Sequence, residues 1–366
     1  MSEPVRFSPD VETVQPDEAE TIDRLNEQFR TILDTTSKDY QHAVRAVHAK
    51  AHGIAKGMLT IKDDLPAELA QGLFARPGRH EAILRISTNA GDILDDSIAL
   101  PRGLALKVLG VEGERLPGGE GGTTQDFIMV NGPAFAAPDA KGFLKNLTML
   151  SKTTDVGEGG KKALSAVLQA TNTVLSAVGI ESPTIQQLGG APQVHPLGET
   201  YYSQTPYRYG DYIAKWQLAP VSTELTARTK EVIDIAGRPD ALREEVTRGL
   251  IEGGGTWELR VQLNTDLDKM PVEDATKVWD EKESPFRTVA TLEVPAQIAW
   301  EHGASDRLDD ELSYNIWHGL AAHQPLGGVN RARNDPYRKS AEFRGRFNGC
   351  PMHEPASLAE LGGVAE

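Results

Sequence analysis

The chain has 366 residues, 39% of them apolar and 25% charged, the balance of a soluble globular protein. At about 150 residues per domain, this length suggests two domains or one large barrel with helical additions. The net charge, 38 − 53 = −15, argues against a nucleic-acid partner, which needs a concentrated basic face, and against docking on anionic lipid.

Residues 1–16 are polar, carry Pro4, Pro9 and Pro16, and are expected to form a loose or draped arm. From Asp17 the period turns helical, with Ile22, Leu25, Phe29, Ile32 and Leu33 on one apolar stripe that ends between Thr35 and Asp39. Short β-like runs follow at Gly57–Lys62, Ala82–Thr88, Leu104–Val111 and Asp126–Asn131. After an interruption they resume at Thr200–Ser203, Asp211–Leu218, Thr256–Asn264 and Thr288–Val294. In the run opened by Thr256, Trp257, Leu259, Val261 and Leu263 alternate with Glu258, Arg260, Gln262 and Asn264. Eight such runs suit a closed barrel, so the expected class is α+β with an eight-stranded antiparallel β-barrel. The intervening 138–187 reads as helices, with Leu164, Val167, Leu168, Leu175 and Val178 as a stripe, and 222–252 as a helix pair. The tail 309–348 is expected to be helical around a Pro325–Gly328 break. The organisation read from this is an arm and helix over 1–40, a barrel domain over 41–348 and a tail over 349–366.

Several motifs are set aside. Gly118–Gly122 lacks the strand-to-helix context of a dinucleotide site, and Gly157–Lys161 lacks the first glycine and the hydroxyl of a phosphate loop. No H-E-x-x-H and no G-x-S-x-G occurs. Cys350 stands alone, which excludes an intrachain disulfide and a cysteine-cluster metal site. Met1-Ser2-Glu3-Pro4 has neither a basic nor an apolar leader region, and no run reaches the roughly 18 apolar residues of a membrane helix, so the expectation is a cytoplasmic protein without an integral membrane segment.

Four segments remain: Arg45-Ala46-Val47-His48-Ala49-Lys50, Arg85-Ile86-Ser87-Thr88, Pro101-Arg102-Gly103-Leu104-Ala105-Leu106-Lys107, and Asp126 to Pro133. Arg85 and Ser87, two apart in a strand, share a face. If that face looks into the barrel, the arginine needs a counter-charge, which an anionic ligand would supply.

The order and spacing of these segments over residues 44–135 resemble the haem catalases. The resemblance implies that His48 is the distal histidine, Ser87 its brace and Asn131 a distal hydrogen-bond donor, the three forming the catalytic set. It implies that Arg45 and Arg85 hold haem propionates. Leu312-Ser313-Tyr314, with His318 four residues on, resembles the segment carrying the axial tyrosinate, read here as helical, so the resemblance implies that Tyr314 is the ligand of the iron of haem b and that His318 belongs with it to the cofactor-binding residues.

The chain departs from the family's pattern at Asp310 and Ala321, where arginines are expected, and at Asn89, where a channel valine is expected. Asp310, four residues before Tyr314, is expected on the same helical face. The smaller catalase-like haem proteins therefore fit better than a full-length catalase. The function expected is that of a haem-dependent peroxidase or weak catalase, an oxidoreductase acting on hydrogen peroxide or an organic hydroperoxide. The alternatives are haem-dependent isomerase, lyase or peroxygenase chemistry on a fatty-acid hydroperoxide, and a haem-free barrel holding a small apolar ligand. Self-association is left open.

Overall fold

The computed structural model describes residues 3–153, 191–350 and 352–361. Among the described residues, nine strands form one sheet: β1 (Ala51–Ile61), β2 (Gly78–Thr88), β3 (Arg102–Val108), β4 (Gln125–Val130), β5 (Tyr201–Tyr202), β6 (Tyr207–Tyr209), β7 (Tyr212–Pro220), β8 (Gly255–Leu263) and β9 (Arg287–Val294). Their order is β5-β4-β3-β2-β1-β9-β8-β7-β6. An antiparallel pairing of β5 with β7, Tyr201 opposite Leu218, closes eight of them into a barrel and leaves β6 as a hairpin arm on β7. All eight expected runs are strands; only the three-residue β6 was not anticipated.

Register decides which face is the core, because directly paired residues project to the same side. Ala55 pairs with Leu84, Leu84 with Leu106, and Leu106 with Phe127. Leu59 pairs with Leu292, and Leu259 with both Leu218 and Ala290. All of these are buried, and Phe127 meets Trp216 of β7 at 4.9 Å between ring centroids. This set fills the barrel. Phe74, Tyr209 and His323 close one end on Trp216, with ring centroids 5.9, 5.4 and 5.3 Å from it. At the other end a Cβ on Gly53 would lie 2.7 Å from Val246, and one on Gly255 would lie 2.7 Å from Leu225, so the two helices there seat directly on glycine.

Arg85 and Ser87 have the opposite parity and therefore lie on the outer wall, not in the interior. At their level the interior face is taken by apolar side chains such as Leu84, Ile86, Leu104 and Leu106.

Helix α1 (Glu18–Tyr40) runs slightly past its expected end, and α2 (Ala140–Thr153) opens the expected insertion. The stripe from Leu164 to Val178 lies outside the described residues. The expected pair over 222–252 is α3 (Thr223–Thr226) and α4 (Ala241–Gly253). The tail gives α5 (Ala304–Glu311) and, after a break at Gly327 with φ 86°, α6 (Gly328–Asn348). Helices α1, α2 and α6 share a second apolar cluster that includes Leu25, Phe29, Leu144 and Ala332. The N-terminal arm is draped: the Val5 amide donates to the Asn264 carbonyl at 2.8 Å and that of Phe7 to Asp211 at 2.7 Å.

One expectation fails here. Leu312 turns extended, at φ −78° and ψ 137°, and ends α5. Tyr314 and His318 therefore lie in irregular chain between α5 and α6, so four-residue helical spacing does not relate Tyr314 to Asp310.

Trp216→Ala should empty the meeting point of Phe127, Phe74, Tyr209 and His323 and cost about 3–5 kcal/mol, measured as a lower urea midpoint with an unchanged fold by circular dichroism.

Candidate active site

A cavity of about 300 Å³ lies between the outer wall of β2–β4 and the layer formed by α1, α6 and the chain around Tyr314. That is the lower end of the range for small-molecule sites. The sheet supplies Arg85, Ser87, Gly103, Ala105 and Ile128, the parity opposite to the barrel core. Arg45 and His48 enter from the segment before β1, Phe29 from α1, Tyr337 and Arg344 from α6, and Tyr314, His318, Met352 and Glu354 from the tail.

His48 has a left-handed backbone, φ 56°, rare for a residue with a Cβ, and is held on both sides. Its amide donates to the Asn89 carbonyl at 3.2 Å, and its carbonyl accepts from Arg85 Nη2 at 3.0 Å. The imidazole Nδ1 lies 3.2 Å from Ser87 Oγ. The ring rests on Gly103, where a Cβ would come within 2.4 Å of it. Burial, and the charges of Arg85, Arg333 and Arg45, push the imidazole down to about 3, so it is neutral across the ordinary pH range.

Tyr314 is nine-tenths buried, and its hydroxyl has no hydrogen-bond partner among the described residues. Burial pushes the phenol above its ordinary range, with the charges of Arg85 and Arg45 opposing this. Lys107 Nζ lies over the ring at 5.4 Å. That lysine is fully buried and bonds Asp126 at 2.8 and 3.0 Å and Glu354 at 2.7 Å. Asp126 accepts from the Asn315 amide at 2.9 Å, and Ser313 Oγ donates to Glu354 at 2.5 Å. His318 Nδ1 lies 3.2 Å from Glu354 and 3.6 Å from Asp126. Despite burial, these carboxylates push His318 up to about 9, so it is a cation. The network straps the chain around Tyr314 to β3 and β4.

Arg45 and Arg85 are on the cavity wall, but the counter-charge comes from the protein itself. Arg85 grips Asp309 bidentately at 2.6 and 3.1 Å, and Arg45 pairs with the same carboxylate at 2.8 Å. Burial opposes ionisation of Asp309, yet these two arginines hold it well below the usual carboxylate range. Arg45 and Arg344 also donate to the carbonyls of Asp309 and Leu312, capping the end of α5, where cations suit the helix dipole.

Asn131 is not brought to this cavity. It shares parity with Phe127 and Met129, so it leaves the sheet on the other side, where its Oδ1 accepts from the Arg102 amide at 2.9 Å and its Nδ2 donates to Glu199 at 2.6 Å. Asp310 turns away from Tyr314 and pairs with His42 at 2.9 Å. Asn89 and Ala321 do not line the cavity. The residues that sequence reasoning missed are Asp309, Arg344 and the Lys107–Asp126–Glu354 set. An acidic run at the end of a helix, 309–311, was the available signal, since acids there are unfavourable without cationic partners.

No family model and no curated protein matches the sequence. Solved structures do match in fold. A fungal catalase aligns at TM-score 0.60 and 18% identity over 91% of this chain and 65% of its own. Catalase A from Saccharomyces cerevisiae aligns at TM-score 0.60 and 17% identity over 100% and 71%. A bacterial catalase aligns at TM-score 0.61 and 17% identity over 96% and 66%. The barrel is thus the catalase barrel, and the chain spans about two thirds of the length of these proteins.

The stability that protonated His318 contributes should be fully present below its ordinary value of 6.5 and lost as the pH rises through about 9. His318→Gln should flatten that alkaline loss, checked by urea midpoints at about pH 6 and about pH 10.

Proposed function

We propose that the cavity is a haem site at which peroxide is cleaved, with Tyr314 as iron ligand and His48 as the proton-transfer group. The observation that carries this reading is the pairing of an unpartnered, buried phenol with a braced, buried imidazole on one cavity of a catalase-type barrel. The donor set fits: tyrosine is the ligand type of catalase haem, and a hydroxyl with no partner among the described residues suits a metal bond. Bound ferric haem would supply the two-electron chemistry that O–O cleavage needs.

The protein's own part is proton handling and positioning. If Nδ1–H of His48 donates to Ser87, Nε2 is left as the basic nitrogen, able to take a proton from one peroxide oxygen and return it to the other. Gly103 and the left-handed backbone fix the ring for that transfer. Asn131 has no part in it, since it lies across the sheet. Burial disfavours the Tyr314 phenolate, Arg85 and Arg45 oppose that effect, and Asp309 and Asp126 add to it, so a bound metal would be what secures the phenolate. A base held down to about 3 is a reluctant proton acceptor, which supports weak rather than fast peroxide turnover.

Haem-supplied protein should show a Soret band and consume hydrogen peroxide. His48→Ala should keep the band and lose about 10²–10⁴-fold in rate. The wild-type rate should show no limb near pH 6.5, because His48 titrates near 3. No haem uptake, or an undiminished rate in His48→Ala, would end the reading.

A further inference from the structure

Two guanidiniums buried on one cavity wall ordinarily mark the place of an acidic ligand, since a carboxylate satisfies both their charge and their paired donors. Here both are already engaged. Arg85 spends Nε and Nη2 on the two oxygens of Asp309, at 2.6 and 3.1 Å. Arg45 spends Nη1 on Asp309 Oδ1 at 2.8 Å and Nη2 on the carbonyls of Asp309 and Leu312 at 2.8 and 2.9 Å. All three side chains are largely buried, 13% exposed for Arg45, 3% for Arg85 and 13% for Asp309. Asp309 lies in the last turn of α5, where the helix dipole disfavours an acid, so helix stability does not explain it.

We propose that Asp309 is a specificity determinant of this cavity: it does not line the cavity itself, but its carboxylate neutralises the two lining guanidiniums, Arg45 and Arg85, and occupies the donors that a ligand carboxylate would use, so the site favours uncharged ligands, or the uncharged part of a ligand, over acidic groups. An entering carboxylate would have to draw the guanidiniums off Asp309 and leave that carboxylate buried and unpaired, which is strongly unfavourable. Without Asp309 the balance reverses. Two buried guanidiniums then lack a counter-ion, and any carboxylate small enough to enter stabilises the fold by mass action. The proposal rests on the cavity being a ligand site. It does not require that ligand to be haem.

The first test uses the full-length chain, Asp309→Ala and the near-isosteric Asp309→Asn. Thermal midpoints are followed against sodium acetate, with sodium chloride at equal ionic strength as control. Both variants should melt below wild type in chloride. Acetate should raise the midpoint of Asp309→Ala saturably, while wild type responds to acetate as to chloride. Equal responses of wild type and Asp309→Ala would overturn the proposal. Asp309→Asn keeps the volume, so it shows whether loss of charge alone lowers stability should the alanine variant fail to fold. The second test uses wild type alone and compares hemin with its dimethyl ester by absorbance titration. Affinities within a few-fold of each other are expected. Hemin binding more than about tenfold tighter would show its carboxylates engaging the arginines and overturn the proposal. If neither porphyrin binds while acetate still stabilises Asp309→Ala, the haem reading fails and the role of Asp309 stands.

Discussion

The structure depends on one packing constraint: the barrel is full. Leu59, Leu84, Leu106, Phe127, Trp216, Leu218, Leu259 and Leu292 fill its interior, and helices or rings close both ends. This packing leaves the cavity outside the barrel. It is therefore built on the other face of the same strands, where the two-residue period places Arg85, Ser87, Gly103, Ala105 and Ile128 side by side under a roof of helices. The strand alternation that makes the core makes the pocket wall as well.

The second organising term is buried charge. Two clusters flank Tyr314. Arg45, Arg85 and Arg344 gather the end of α5 around Asp309, and Lys107 gathers Asp126, Glu354 and His318. Buried pairs of this kind add little net stability over apolar packing, but breaking one leaves an uncompensated charge, so the arrangement has few alternatives. The irregular chain between α5 and α6 carries the phenol, and around Tyr314 its own hydrogen bonding is limited to a turn from Asn315 to His318. Its position is borrowed from these two anchors.

The barrel was legible because strands announce themselves by alternation, and every expected run overlaps a real one. What alternation states is which residues share a face. It does not state which face looks inward, and that is why Arg85 and Ser87 could be read as interior. Register settles it, and register is a long-range property. The parity of Asn131 was available: it alternates with Phe127 and Met129, and that alone separates it from Ile128 and the Ser87 side of the sheet. The expected helix through Tyr314 failed because Leu312 adopts an extended backbone, held by arginines more than 250 and about 30 residues away in the chain, and no local pattern encodes this. Tyr207–Tyr209 was too short to show a period. The pairing of Asp309 with Arg85 spans 224 positions and left only a weak local sign.

The cavity wall takes residues from Phe29 to Glu354, almost the whole span of the chain, whereas the first four strands are complete by Val130. During synthesis the barrel wall is therefore made long before its lining partners. Until the tail emerges, Lys107 and Asp126 have only each other, and Arg45 and Arg85 have no carboxylate from α5. The site is the last part of the molecule to exist. Until α5, α6 and the tail fold over it, that face of the sheet presents Arg85, Ser87 and the Lys107–Asp126 pair beside Gly103, Ala105 and Ile128, and its polar groups favour hydration.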